Sequence, residues 1–203
     1  MIDVRSITNL QISTVALWHL QEIANVYSGF LQAVCEQHRF NFLLWHEEDV
    51  ARSADVNDAR IAAVKRAIDS YNQQRNDCIE KLDDFFLAEL AARGVVLQDN
   101  AVQNTETPGS AIDRLSILAL RLYHMQEQVD RPEASDEHRA KAAGRLAILR
   151  EQHCDLSHAL GELLADIFAG RKRLKVYRQF KMYNDPTLNP YLYRATERLS
   201  VTL

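Results

Sequence analysis

Apolar residues recur at three- and four-residue spacing along most of this chain, and very little interrupts them. Only six glycines and four prolines occur in 203 residues. That spacing is the period of an α-helix with one buried face. So few breakers leave no material for the frequent turns of a sandwich or barrel, and no hairpin pattern is present. The expected fold is all-α, an elongated antiparallel bundle of four long helices. A chain of this length can form it as a single helical domain. The core bundle is expected over about residues 8–170, with a basic, aromatic, short helical C-terminal clasp over 171–203.

Cap signals place the helices. The first is expected from about Thr8 to His38, on an apolar stripe that includes Leu10, Val15, Leu20, Ile23, Val26 and Phe30. The aromatic segment Phe40–Trp45 then turns the chain into a brief helix beginning near His46. A second long helix follows from Asn57 to Arg93, stopped by Gly94. At about 1.5 Å per residue it spans about 50 Å. Residues 95–106 form a polar loop. Thr107 and Pro108 open the third helix as N-cap and first helical residue, and it ends near Asp130. Ser135 caps the fourth, which ends at Gly170.

The net charge of −4 is too mild to imply nucleic acid as a partner. It is unevenly spread, however. Six of the 24 cations fall within residues 171–181 without one acid, and the other 18 face 28 acidic residues. Cys35, Cys78 and Cys154 are far apart and form no CxxC, so all three are expected as buried free thiols of a reducing cytoplasm. No stretch approaches the roughly 18 apolar residues of a membrane span, and no signal-peptide pattern opens the chain. A soluble, cytoplasmic protein is expected. Long apolar stripes on an elongated bundle suit a homodimer.

Several polar residues exceed what helix packing asks for. Ile61, Val64, Ile68, Tyr71, Ile79, Leu82 and Phe86 share one face of the second long helix, with Arg75 in its middle. An arginine there needs a carboxylate or phosphate, because a stranded charge costs about 3–5 kcal/mol. Asp113 on the third helix is one candidate and a ligand the other. Asp69, Gln73, Asn76 and Glu80 make a polar stripe with Asn72 at its edge. Asp113 and His124 share one side of the third helix, and Arg114 lies in its first turns. The backbone N–H groups of Gly109 and Ser110 at that helix start favour an anion.

Other chemistries are missing from the pattern. Carboxylate-bridged di-iron bundles need Glu-x-x-His on two helices, whereas only Asp155-x-x-His158 and the reversed His46-x-x-Asp49 occur. Walker loop, dinucleotide fingerprint and nucleophile elbow are all absent. No metal and no cofactor is expected. In the clasp, Val176, Tyr177, Phe180 and Tyr183 fit one helical face that would dock on the bundle. Asp185 and Asn189 each precede proline and mark turns, and Asn189–Pro190 opens a last short helix.

The stretches LLWHEED (43–49), ID..NQQRND.IEK (68–81), TPGSAIDRLSIL (107–118), YHM (123–125) and YRQFKMYNDPTLNP (177–190) resemble an uncharacterised bacterial family, domain of unknown function 4254. The resemblance implies a helical, cytoplasmic bacterial protein, of a kind often encoded among glycosyltransferases for cell-surface polysaccharide. Its motifs coincide with the polar residues above, which are expected to form one site between helix ends. Asn72, Arg75, Asn76, Arg114, Arg178, Gln179, Lys181, Asn184 and Asp185 would bind ligand there. Three readings follow. The first is an accessory of envelope-glycan synthesis that binds a phosphorylated sugar or nucleotide-sugar, with a glycosyltransferase as partner. The second is an enzyme on such a substrate, with His46 or His124 as acid–base and Asp69 or Asp113 orienting it. The third is a structural module whose polar centre fixes helix register.

Overall fold

The computed structural model describes residues 2–179, 182 and 185–194. Five helices carry the fold: α1 (Val4–Trp18), α2 (Gly29–Arg52), α3 (Asp58–Ala92), α4 (Pro108–Asp130) and α5 (Asp136–Phe168). Antiparallel pairs α2–α3 and α4–α5 form the bundle, and α1 lies against α4. It is an all-α helical bundle. No helix among the described residues is long and apolar enough to cross a membrane.

Three helix starts follow the expected chemistry. Asn57 Oδ1 accepts from the Arg60 amide at 2.9 Å, Thr107 Oγ1 from Ser110 at 3.2 Å, and Ser135 Oγ from His138 at 3.2 Å. Each side chain satisfies an amide that the helix itself leaves free. Gly94 and Gly170 follow their helices at φ +60° and +70°, a left-handed conformation that suits glycine.

The first expected helix is instead two. α1 stops at Trp18, and residues 19–28 form a connection before α2 begins. The Trp18 indole donates to Ala24 O at 3.3 Å and Asn25 Nδ2 to Gln32 O at 2.9 Å, which folds the segment back. Leu20 and Val26, assigned to the apolar stripe, are 85% and 83% exposed. Gly29 at φ +59° marks the turn into α2. A second correction follows: Phe40–Trp45 does not turn the chain but continues α2 without a break, burying Phe40, Phe42 and Leu44.

The main core joins all five helices through residues such as Ile7, Phe42, Phe86, Leu115, Leu120 and Leu160. Each such side chain contributes about 1.5–3 kcal/mol on burial. Beyond α5 the cationic strip is extended rather than helical. A two-residue strand β2 (Lys172–Arg173) pairs in parallel with β1 (Val102–Gln103) of the polar loop. Residues 174–179 are not helical, so Val176 and Tyr177 form no docking face, and Tyr177 is 66% exposed. Phe180 and Tyr183 lie outside the described residues. Asp185 closes the expected turn by accepting from the Thr187 amide at 2.7 Å, and residues 190–194 are helical behind Asn189.

Candidate functional site

Because α2 and α4 lie side by side and α1 ends against α4, one polar layer runs through the bundle. Its buried part centres on Asp113. One carboxylate oxygen accepts from Gln37 Nε2 at 2.6 Å and from Asn41 Nδ2 at 2.9 Å. Asn41 also donates to Ser116 Oγ, which hydrogen-bonds His38 Nδ1 at 2.6 Å. Gln11 from α1 donates to Ile112 O at 3.0 Å. Burial pushes the Asp113 carboxyl above its usual range, opposed by Arg75 and then by Asn41. Complete burial pushes the His38 imidazole down to about 3, which keeps it neutral.

Arg75 faces Asp113, as its place on the apolar face of α3 requires. The contact is loose: Nε stands 3.8 Å from Asp113 Oδ1, too far for a hydrogen bond. That Nε is buried without a hydrogen-bond partner. Arg75 borders a cleft of about 410 Å³ together with Asn41, Trp45, Asp49, Arg52, Asn72 and Ile117. A second cleft, of about 620 Å³, shares Trp45 and Asp49 with the first. It extends along α4 and α5 past Arg121, His124, Gln128, Arg145 and Gln152.

Beside the second cleft, which His124 lines, three imidazoles converge. His19, His46 and His124 come from the end of α1, from α2 and from α4. A ring nitrogen of each lies within 4.8 Å of the other two. Tyr123 stacks on His19 at 4.2 Å, and Trp45 stacks on His124 at 4.6 Å. Burial lowers the His46 pKa, helped by His19 and then His124. These three form the one group of metal-ligand residues found among the described residues.

The remaining candidates lie elsewhere. Asp69 pairs with Lys65 on the exposed side of α3. Arg114 pairs with Glu106 at 2.6 Å. Asn76 is half-buried on α3 but borders neither cleft. Arg178 bridges Glu80 and Asp84, and the Gln179 amide donates to Glu80. Asp185 turns back on Thr187, while Lys181 and Asn184 lie outside the described residues. The expected single site is therefore divided. Arg75 and Asn72 line the first cleft, with Asp113 buried beside Arg75. His124 lines the second, about 16 Å further along α4 at 1.5 Å per residue, and His46 meets it in the imidazole cluster. Arg178 and Gln179 gather on α3 near its C-terminal half.

The start of α4 corrects another expectation. Its anion is the protein's own Asp83, whose Oδ1 accepts from the Gly109 amide at 2.7 Å. Burial raises the Asp83 pKa, with the Thr107 hydroxyl and then that amide acting against it. Sequence reasoning missed Asp83, His19, Trp45 and Gln37. An acid at a core-facing position of α3 was a readable signal for Asp83. Nothing local marks His19, because its neighbours are tertiary.

The fold and the layer define a class: a helical bundle with a buried polar centre and clefts along its helices. Its family is shown by comparison. The chain belongs to the family described as "Protein of unknown function (DUF4254)", whose model matches residues 31–176. That span holds α2 to α5, with His46, Arg75, Asp113 and His124 but not His19. No curated protein and no solved structure matches the chain.

Proposed function

We propose that the protein binds an anionic ligand, of the phosphorylated-sugar or nucleotide-sugar class, in the cleft between Arg75 and Trp45. One observation carries the reading. Arg75 sits on the apolar face of α3, borders a cleft, and makes no hydrogen bond to any described residue. Guanidinium donors matched to a phosphate would use that capacity. Asn72 and Asn41 stand beside it as further polar groups, and Trp45 offers an aromatic surface on which a sugar or base ring packs. Arg121 and Arg145 on the adjoining cleft have no carboxylate partner among the described residues, which suits a second charged group. Arg39, Arg93, Arg114 and Arg178 are all paired.

The envelope-glycan setting and a glycosyltransferase partner rest on the family resemblance, and homodimerisation on the apolar stripes. A cytoplasmic location follows the same reading. Co-purification and light scattering test the partner and the dimer. The enzyme reading has His46 and His124 close to the same clefts in its favour; turnover of a bound nucleotide-sugar, lost in His46→Gln, would select it.

The binding claim is tested by thermal shift with a panel of sugar phosphates and nucleotide-sugars. A ligand at about 100 times its Kd adds about 2.7 kcal/mol of stability. The gain should shrink as salt rises and vanish in Asn72→Asp, which places a carboxylate beside the phosphate. If neither the panel nor inorganic phosphate moves the melting temperature, the reading fails.

A further inference from the structure

We propose that His19, His46 and His124 form a binding site for one divalent late first-row metal ion, of the zinc type, coordinated through their Nε2 atoms. This inference does not depend on the anionic ligand, and it departs from the sequence pattern, which contains no metal-ligand spacing.

Hydrogen bonding on the far side of two rings selects the coordinating atoms. His19 Nδ1 lies 2.7 Å from Val15 O, a carbonyl that only accepts, so Nδ1 carries the proton and donates it. His124 Nδ1 lies 2.8 Å from Glu127 Oε2 and donates to that carboxylate in the same way. In its neutral form each of these two rings presents a lone pair at Nε2. The Nε2 atoms of His19, His46 and His124 are all buried, and none has a hydrogen-bond partner. Buried acceptors without partners are uncommon in folded proteins. Three buried imidazole nitrogens without partners on converging side chains are better explained by a shared cation than by three separate defects.

Distance and surroundings agree. A zinc ion with Zn–N of about 2.0–2.1 Å holds its nitrogens about 3.4 Å apart in tetrahedral geometry. The ring nitrogens already lie within 4.8 Å of one another, so small ring rotations suffice to close the set. Stacking on Tyr123 and Trp45 limits the orientations of His19 and His124. Glu127 on the far nitrogen of His124 is the carboxylate that orients a metal-binding imidazole and raises its basicity. Imidazole donors without thiolates or a carbonyl cage suit zinc, copper, nickel or iron and do not suit magnesium or calcium. Three protein ligands leave a coordination position free, and the 620 Å³ cleft reaches His124, Asp49 and Glu127. That position would open to water or to a ligand in the cleft.

The test uses the full chain, freed of metal by a chelator and titrated with Co²⁺ in the absence of any other ligand. The proposal predicts a visible absorption band of a four- or five-coordinate centre that saturates at one ion per chain and is displaced by Zn²⁺. His46→Gln and His124→Gln should abolish the band. Glu127→Gln should weaken binding by about 10–100-fold. His158→Gln, at an imidazole that faces Glu162 on the exposed side of α5, should leave it unchanged. Should a cluster variant fail to fold by circular dichroism, the wild type decides: Zn²⁺ but not Mg²⁺ should raise its melting temperature, reversibly with chelator. Absence of a stoichiometric band, a band that persists in folded His46→Gln, or no stabilisation by Zn²⁺ would each overturn the proposal.

Discussion

Arg75 and Asp113 show how much a single residue pair can be read from a helical wheel. An arginine on an apolar face demands an acid, and the acid is the one expected. What the wheel could not give is the looseness of the contact, because the separation depends on how α3 crosses α4. Asp113 already takes two hydrogen bonds on one oxygen, from Gln37 and Asn41. Asp113→Asn keeps an acceptor for Gln37 and Asn41 but takes the carboxylate from Arg75, whose contact is long and whose side chain is only partly buried, so it should cost less than Arg75→Ala. Arg75→Ala removes the cation that faces a buried carboxylate and should cost about 1–3 kcal/mol. Urea melts of the two variants check the order.

The cysteines belong to the same scale. Cys35 and Cys78 are buried, and burial pushes both thiols up to about 11. Cys154, expected to be buried with them, is exposed on α5. Its helix pattern was read correctly, but the face it occupies is the solvent face. A native thiol assay should therefore label one cysteine per chain quickly, Cys154, and reach the other two only on unfolding. Rapid labelling that survives Cys154→Ser would contradict this burial.

For whole elements, local chemistry was legible where the side chain of Asn57, Thr107 or Ser135 caps the helix start by a hydrogen bond. It was not legible where continuity of apolar residues hid a break, as between α1 and α2. The apolar residues there serve the connection and the surface, and Gly29 was the one local cue. Glycine also separates crossing points from open helix surface. A Cβ at Gly109 would stand 2.6 Å from Ile79 O and 2.8 Å from Asp83 Oδ1. Gly109→Ala should destabilise by about 1–3 kcal/mol through the displaced α3 backbone. Gly144 and Gly161 lie inside α5 with nothing within 4 Å of an added Cβ. Replacing either by Ala should stabilise by about 0.5–1 kcal/mol. Equal effects at Gly109 and Gly144 in denaturant melts would show that α3 and α4 do not approach closely at Gly109.

Over the whole molecule, the buried imidazoles set the response to acid. His38, His46 and His153 all have folded pKa values below the ordinary 6.5, through burial first in each case. The unfolded chain takes up protons that the folded chain refuses. Their contribution is complete above pH 6.5 and is lost as pH falls, down to about 3 for His38. Asp113 and Asp83, with raised values, act in the opposite sense, since the folded state holds those protons more tightly. Between pH 6.5 and 5 His38 gives a slope of up to about 1.4 kcal/mol per pH unit towards lower stability as pH falls, with His46 and His153 in the same sense and the two carboxyls opposing it. Denaturant melts across that range check it, and His38→Gln should flatten the curve. The sequence motifs made the family legible at this scale. The meeting of His19 with His46 and His124 was not, because it depends on three separate segments packing together.

A crystal structure of the chain with a bound nucleotide-sugar tests the central claim most directly, because it locates the anion. The phosphate is predicted within hydrogen-bond reach of the Arg75 guanidinium and Asn72, with a ring of the ligand against Trp45. A phosphate held instead by the cationic strip around Arg178, with the cleft beside Arg75 unchanged, would contradict the claim.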